Sequence, residues 1–312
     1  MTAPRVLFSA PDDWWPLYEA HLRRACAAEG LAPEFMTAVD GGRVDYIVHR
    51  PGGPVEEFSG FPGLKAVLSL WAGVEGLVDD PSLTAPLVRM IDESLTAGMA
   101  EWVAGHVLRH HLGMDAHVLG QDGVWRNGVI PPLARERNVG VLGLGALGTA
   151  SARMLARIGF RVSGWSRRPR EVDGVVTRAG PEGFREVLAA SEILVLLLPA
   201  TQGTASLMDA AAFAAMPRGA VLINPGRGSL IDDAALLAAL DSGRLAHATL
   251  DVFREEPLPP AHRFWAHPRV TVTPHIASET RPETASEAIA RSIRRGEDGA
   301  GFDGLVDRSA GY

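Results

Sequence analysis

The sequence predicts an α/β protein with two parallel sheets, on three observations. Short apolar runs bounded by turn residues alternate with helical patterns along most of the chain, the way parallel strands joined by crossover helices read. The runs fall into two series, one within the first hundred residues and one from position 139 onward. At the head of the second series, residues 139–142 lead straight into Gly143-Leu144-Gly145-Ala146-Leu147-Gly148 and a helical pattern through Leu155. A chain of 312 residues is long for one compact domain and natural for two.

In the first series, residues 6–9 read as a strand, 15–28 as an amphipathic helix stopped near Gly30, 45–48 as a second strand and 66–70 as a third. The third runs into Trp71-Ala72-Gly73-Val74-Glu75. Ligands of open α/β sheets sit just past the strand C-terminal ends, so amides at Ala72, Gly73 and Val74 are placed to receive a carboxylate or carbonyl. A plain strand-to-helix turn is the alternative reading.

Composition narrows the function classes. With 46% apolar and 21% charged residues the chain has ample material for cores. A formal charge of −7 argues against a nucleic-acid surface, and the basic run Arg167-Arg168-Pro169-Arg170 is isolated. Cys26 is the only cysteine, which excludes an intrachain disulfide and a cysteine metal cluster and fits a reducing compartment. Residues 1–10 carry one Arg5 and no long apolar core, a poor signal peptide, and no stretch reaches the roughly 20 apolar residues of a membrane helix. The expectation is a cytoplasmic protein with neither nucleic acid nor membrane as partner.

Residues 96–112 form a strong helical pattern with Met99, Val103, Val107 and Leu108 at core spacing. His106 and His110 stand at i, i+4 on it. A metal pair is conceivable, but no Glu lies between them in the zinc-protease pattern, so a solvated or interface helix face is expected and no metal. Residues 113–133, with Trp125, Gly128 and Pro131-Pro132, read as an irregular arm: functional, intermolecular or simply a linker.

The glycine motif is what a dinucleotide site needs. Gly143 permits the tight turn, Gly145 lets the backbone approach a pyrophosphate, Gly148 lets helix and strand pack closely, and the helix start at Ala146 and Leu147 offers N–H groups to phosphate. A Gly-rich turn and the nucleotide loop of a methyltransferase are the competing readings; the strand before and helix after favour a dinucleotide. The next strand, 161–165, ends where an NAD enzyme places an Asp or Glu for the ribose hydroxyls. Ser166 stands there, followed by Arg167 and Arg168. With no carboxylate to repel it, a 2′-phosphate can be held by the hydroxyl and the two guanidinium groups, so NADP(H) is expected ahead of NAD(H), an exposed basic turn being the alternative.

Four further runs end in polar residues. Residues 193–198 end at Pro199 with Thr204 beyond, 220–223 in Asn224-Pro225-Gly226-Arg227-Gly228, 248–250 in Asp251 and then Glu255-Glu256-Pro257, and 270–273 in Pro274-His275. Pro199, Thr204 and Pro225 share the edge of the glycine loop and are counted with the cofactor contacts. Singly, Arg227, Glu256 and His275 have dull explanations as surface and loop residues. Jointly they supply what reversible reduction of a 2-oxoacid requires: a fixed cation for carboxylate and carbonyl, a His to pass a proton, and a carboxylate to orient that His. A short-chain dehydrogenase needs Tyr-x-x-x-Lys beyond the glycine loop, but Lys65 lies before it.

These motifs, with Leu250-Asp251-Val252-Phe253, Glu256-Pro257-Leu258 and Thr273-Pro274-His275-Ile276-Ala277-Ser278, resemble the D-isomer-specific 2-hydroxyacid dehydrogenase family over essentially the whole chain. Trp165-Ser166-Arg167-Arg168 and the ending Val306-Asp307-Arg308-Ser309-Ala310-Gly311-Tyr312 are similar to its glyoxylate/hydroxypyruvate reductase A branch. The resemblance implies two Rossmann-like doubly wound parallel-sheet domains, a nucleotide domain (101–281) inserted into a substrate domain (1–100 with 282–312), and an active site in the cleft between them. It implies that Arg227 binds a small 2-oxoacid, His275 is the general acid in reduction, Glu256 is its partner, Asp251 helps seat the nicotinamide, and Trp71, Ala72, Gly73 and Val74 form the substrate loop. The arm around Trp125 then resembles a homodimer-forming segment. Two departures bear on the pocket: Pro225-Gly226 replaces a more usual small or apolar pair, and His49-Arg50 stands where relatives often carry an aromatic. A dinucleotide sensor of the same fold and a dehydrogenase for a bulkier 2-oxoacid are the alternative functions.

Overall fold

The computed structural model describes residues 3–39, 41–125, 127 and 130–311; Met1, Gly128 and Tyr312 of the segments above lie outside them. The chain forms two compact units, Met1–Leu95 with Thr280–Tyr312, and Thr96–Glu279.

The first unit opens with β1 (Arg5–Ser9), α1 (Trp15–Ala28), β2 (Glu34–Met36), β3 (Tyr46–His49), β4 (Ala66–Ser69), α2 (Glu75–Val78) and β5 (Leu87–Val88). All five strands pair in parallel, in the order β2-β1-β3-β4-β5. β3 and β4 are buried along their whole length, as parallel strands covered on both faces should be. The chain turns to opposite sides of β1 to make β2 and β3, so the winding reverses between β1 and β3.

The unit boundary falls within α3 (Glu93–His111). The second unit continues through α4 (Met114–Val118), β6 (Asn138–Leu142), α5 (Ala146–Ile158), β7 (Arg161–Ser166), β8 (Val176–Ala179), α6 (Gly180–Ala190), β9 (Ile193–Leu196), α7 (Ala210–Ala215), β10 (Ala220–Asn224), α8 (Asp233–Asp241), β11 (Leu245–Leu250), α9 (Arg263–Ala266) and β12 (Val270–Val272). Its seven strands are parallel, ordered β12-β11-β10-β9-β6-β7-β8. Read from β6 this is the doubly wound order of dinucleotide folds with one more strand, and the winding reverses between β6 and β9. β9 shows how the layers are held. Ile193 and Val195 join Val139, Val141 and Leu155 of α5 on one face, while Leu194 and Leu196 join Leu222, Phe213 of α7 and Leu236 of α8 on the other. Each such side chain contributes about 1.5–3 kcal/mol by burial. The apolar run past Leu196 leaves the sheet: strand pairing ends there, and Leu197 instead donates its amide to Leu142.

α10 (Pro282–Glu297) returns the chain to the first unit. Its apolar stripe, Ala285, Ile289, Ala290 and Ile293, is buried, and Arg24 of α1 pairs with Glu283. Tyr46 and Lys65 both bind Glu297, at 2.8 and 2.6 Å.

The segment 113–133 begins as helix rather than irregular chain. Gly113, at φ +62°, ends α3, and Asp115 takes a two-pronged bond from Arg109 at 2.6 and 2.8 Å that pins α4.

Candidate active site

The second unit assembles its polar groups at one sheet edge. Asn224, Leu250 and Val272 stand level in the register of β10, β11 and β12, so Arg227, Asp251 and His275 emerge within three residues of three adjacent strand ends. Asn224 is buried and builds the turn that presents Arg227: its Nδ2 donates to the Arg227 carbonyl at 2.9 Å, and its Oδ1 accepts from Gly226 N at 3.1 Å. Nothing local in the sequence marks Asn224 for this task. Arg227 is half-buried, its Nη1 bonded to the Gly226 carbonyl.

His275 is the chemical centre of this edge. Its Nδ1 lies 2.7 Å from Glu256 Oε2, and Glu256 Oε1 accepts from the Phe253 amide at 2.8 Å. A carboxylate held by the backbone therefore orients the imidazole through an Nδ1–H donor, which leaves Nε2 with no protein partner among the described residues. Glu256, rather than its neighbour Glu255, makes this contact. His275 has φ +55°, a left-handed conformation uncommon for a residue with a side chain. The backbone enforces it: His275 N donates to the Asp251 and Thr273 carbonyls at 2.8 and 3.0 Å.

Asp251 is fully buried and fastens this loop. One carboxylate oxygen accepts from Thr273 Oγ1 (2.6 Å) and Ile276 N (2.9 Å), the other from Ala277 N (2.9 Å). Both oxygens face the histidine loop, a positioning task the sequence did not reveal.

The glycine loop follows β6. Gly143, at φ +103°, sits where a Cβ would lie 2.4 Å from the Leu197 carbonyl, and a Cβ on Gly148 would lie 1.7 Å from the Gly143 carbonyl. Neither position tolerates a side chain. Gly145, by contrast, faces open space, and as the residue before α5 it offers no capping side chain. The first amides of α5, at Ala146 and Leu147, thus keep no intrahelical acceptor. Open space above an uncapped helix start fits a pyrophosphate. Across the reversal, Thr204 Oγ1 donates to the Pro199 carbonyl at 2.7 Å and closes the turn after β9, while Pro225 is buried beside Asn224. β7 ends at Ser166, whose hydroxyl donates to the Arg168 carbonyl at 2.7 Å, and the side chains of Arg167 and Arg168 are exposed. Arg170, unassigned in the sequence, reaches back to the Leu144 carbonyl at 3.0 Å and ties this turn to the glycine loop.

In the first unit Trp71–Val74 joins β4 to α2. Trp71 is fixed at both ends, its amide on Ser69 Oγ (3.0 Å) and its carbonyl accepting from Met90 N (3.0 Å). The amides of Ala72, Gly73 and Val74 donate to no acceptor among the described residues. Such a run of open N–H groups suits a carboxylate.

The histidines of α3, for which a solvated or interface helix face is expected, pack within the chain. His110 Nε2 meets Thr249 Oγ1 of β11 at 2.8 Å, its ring lies 5.0 Å from that of His247, and His106 packs on Trp102 at 4.2 Å. Burial pushes His110 down to about 3 and His247 to about 4, so both are neutral packing residues near pH 7. Among the described residues no group of three or more His, Cys, Asp or Glu could hold a metal, and no helix is long and apolar enough to cross a membrane.

Comparison with known proteins meets the same features. Residues 103–277 match the family model for the D-isomer specific 2-hydroxyacid dehydrogenase NAD-binding domain. Glyoxylate/hydroxypyruvate reductase A of Yersinia enterocolitica is 40% identical over 276 residues, covering 86% of this chain and 88% of that protein. A D-isomer specific 2-hydroxyacid dehydrogenase of Xanthobacter autotrophicus Py2, solved with NADPH and MES, superposes with a TM-score of 0.93 at 40% identity over the whole of both chains. The NADPH-dependent glyoxylate/hydroxypyruvate reductase of Sinorhizobium meliloti, solved with NADP and sulfate, gives 0.86 at 35% identity, again over both whole chains. With its uncapped glycine loop and its Glu256–His275 pair, the chain belongs to the D-isomer-specific 2-hydroxyacid dehydrogenase family, within the glyoxylate/hydroxypyruvate reductase A branch.

Proposed function

We propose that the protein is an NADPH-dependent reductase of small 2-oxoacids of the glyoxylate or hydroxypyruvate type, forming the D-2-hydroxyacid. The carrying observation is the 2.7 Å Glu256–His275 contact, set level with Arg227 on the sheet edge that holds the glycine loop. The Yersinia and Sinorhizobium relatives are named glyoxylate/hydroxypyruvate reductases, and the Xanthobacter and Sinorhizobium structures hold NADPH and NADP. When bound, the reduced nicotinamide supplies a hydride for the carbonyl carbon. Arg227 pairs with the substrate's carboxylate and polarises its carbonyl. His275, oriented through Nδ1, delivers the proton on Nε2 to the forming alkoxide. Amides of Ala72, Gly73 and Val74 serve as donors to the oxoacid's carboxylate, and Trp71 fixes where that loop begins. Gly145, Ala146 and Leu147 seat the pyrophosphate; Pro199, Thr204 and Pro225 shape the edge beside it.

Initial rates of NADPH and NADH oxidation against a panel of 2-oxoacids test this reading. Turnover with NADPH on glyoxylate or hydroxypyruvate is expected; cofactor binding without turnover of any acid would favour a sensor. Ser166, Arg167 and Arg168 are assigned to the 2′-phosphate. Replacing both arginines by Ala should lower kcat/KM for NADPH roughly 10- to 100-fold, the worth of charge-assisted bonds, and spare NADH. Equal use of the two cofactors by the unaltered protein would contradict the assignment.

The proposal includes a homodimer formed through the arm at 113–133. Leu119, Trp125 and Ile130 are 79%, 90% and 90% exposed, an apolar display that an isolated chain leaves in water. Sedimentation should give twice the 33.2 kDa chain mass, and Leu119→Asp with Trp125→Glu should give the single mass. A single mass for the unaltered protein at micromolar concentration would exclude this dimer.

A further inference from the structure

We propose that Arg50 determines specificity, selecting 2-oxoacids that carry a second carboxylate one methylene beyond the carbonyl. The inference rests on the reading of Ala72, Gly73 and Val74 as donors to the substrate's own carboxylate.

Trp14, Arg50 and Trp71 follow the C-terminal ends of β1, β3 and β4, three neighbouring strands, and the winding of this sheet reverses between β1 and β3. That is where open α/β sheets bind ligands. Arg50 is anchored by its backbone, its amide donating to the Ser9 carbonyl at 2.8 Å. Its guanidinium carbon lies 4.0 Å from the ring centre of Trp14 and 5.1 Å from that of Trp71. Ring faces hold the cation in place without neutralising it. Nε is buried with no hydrogen-bond partner, and among the described residues no carboxylate pairs with the group. Tyr18, stacked on Trp14 at 5.8 Å, likewise buries a hydroxyl with no partner. Asp92, which acts electrostatically on the same Tyr18, has one carboxylate oxygen taken by Ser94, Leu95 and Thr284.

Arg50 is half-buried, and its terminal nitrogens, which are not among the buried groups and have no partner among the described residues, remain open to an anion. The cation lies against the side chain of Trp71, the residue just before the run of open amides. This edge of the first unit therefore has two anion-recognising elements, one made of backbone N–H groups and one of guanidinium. Glyoxylate has one carboxylate and leaves Arg50 without an acceptor. A four-carbon 2-oxo dicarboxylate satisfies both, with planar, two-pronged geometry at Arg50. The reaction at the carbonyl is unchanged, since Arg50 meets only the far end of the substrate.

The test compares kcat/KM for oxaloacetate with that for 4-methyl-2-oxopentanoate, which has the same branched outline with methyls in place of the distal oxygens. The protein, Arg50→Met and Arg50→Lys are assayed, with thermal melts to establish that each variant folds. The unaltered protein should prefer the dicarboxylate roughly 10- to 100-fold, the worth of a charged hydrogen bond, and less so at high salt. Arg50→Met should reverse the preference, and Arg50→Lys should keep part of it. Reduction of glyoxylate with no preference for the dicarboxylate would overturn the inference and leave the reductase reading intact. An equal loss on every acid in Arg50→Met would assign Arg50 to the common carboxylate or to packing, which also overturns it. If no 2-oxoacid at all is reduced, the reductase reading fails and this inference with it.

Discussion

His275→Ala should lower kcat about a hundred- to ten-thousandfold while the protein still folds and binds NADPH, the span ordinarily lost with a general acid. The side chain is more than half exposed, so its removal leaves no cavity. Glu256→Gln should produce a smaller, more informative loss. One carboxylate now accepts from two donors, the Phe253 amide and His275 Nδ1, at 2.8 and 2.7 Å. An amide has one oxygen, so one donor must face an NH2 group. About a tenfold to hundredfold fall in kcat is expected, with the KM for the oxoacid little altered, because the imidazole loses its orientation and Arg227 does not. Steady-state kinetics at saturating NADPH separate the outcomes. A His275→Ala variant within threefold of the parent would place the proton donor elsewhere, and an unchanged Glu256→Gln would deny the orienting role.

Asp251→Asn should be the most damaging conservative change in the molecule. Two backbone amides and a hydroxyl converge on its carboxylate, and the side chain is fully buried. Asparagine cannot satisfy Ile276 N and Ala277 N together, since one of them must meet an NH2 donor out of reach of water. Leaving a buried donor unsatisfied costs about 1–3 kcal/mol, or several degrees in Tm for a unit of this size. The loop that imposes φ +55° on His275 loosens at the same time, so kcat should fall at least about tenfold. The two effects should move together in a thermal melt and a rate assay. Weakened NADPH binding with kcat and Tm unchanged would instead make Asp251 a cofactor contact alone, the role its family resemblance implies.

Legibility in the sequence followed the physics of each element. Strands β6, β9, β10 and β11 are interior or near-interior and covered on both faces, so their apolar runs announce them. β8 lies at a sheet edge with the alternately exposed sequence Val176-Thr177-Arg178-Ala179, and β2 and β5 are edges of three and two residues. Nothing local distinguishes such segments from loops, because their partners rather than their composition make them strands. The same divide runs through the site. Gly143, Gly148 and the Glu256–His275 pair were readable because spacing and residue type carry their chemistry. Asn224 and Asp251 look like ordinary polar residues after a strand, and their work depends on amides 2 to 26 positions away. Arg50 is a further case: only the fold sets it between tryptophans 36 residues before it and 21 after.

The return of α10 has a consequence for how the chain matures. Tyr46 reaches Glu297 across 251 positions, and Val88 bridges Leu305, so the first unit is closed by residues made after the whole of the second. On the ribosome its five strands emerge before the second unit yet lack the buried stripe of Ala285, Ile289, Ala290 and Ile293 until that unit has been made. The second unit is contiguous and has every strand in hand once residue 279 has cleared the exit tunnel. Of the two units, the one begun earlier is therefore completed later, and during the interval the apolar faces of α1 and of its sheet are the natural clients of chaperones.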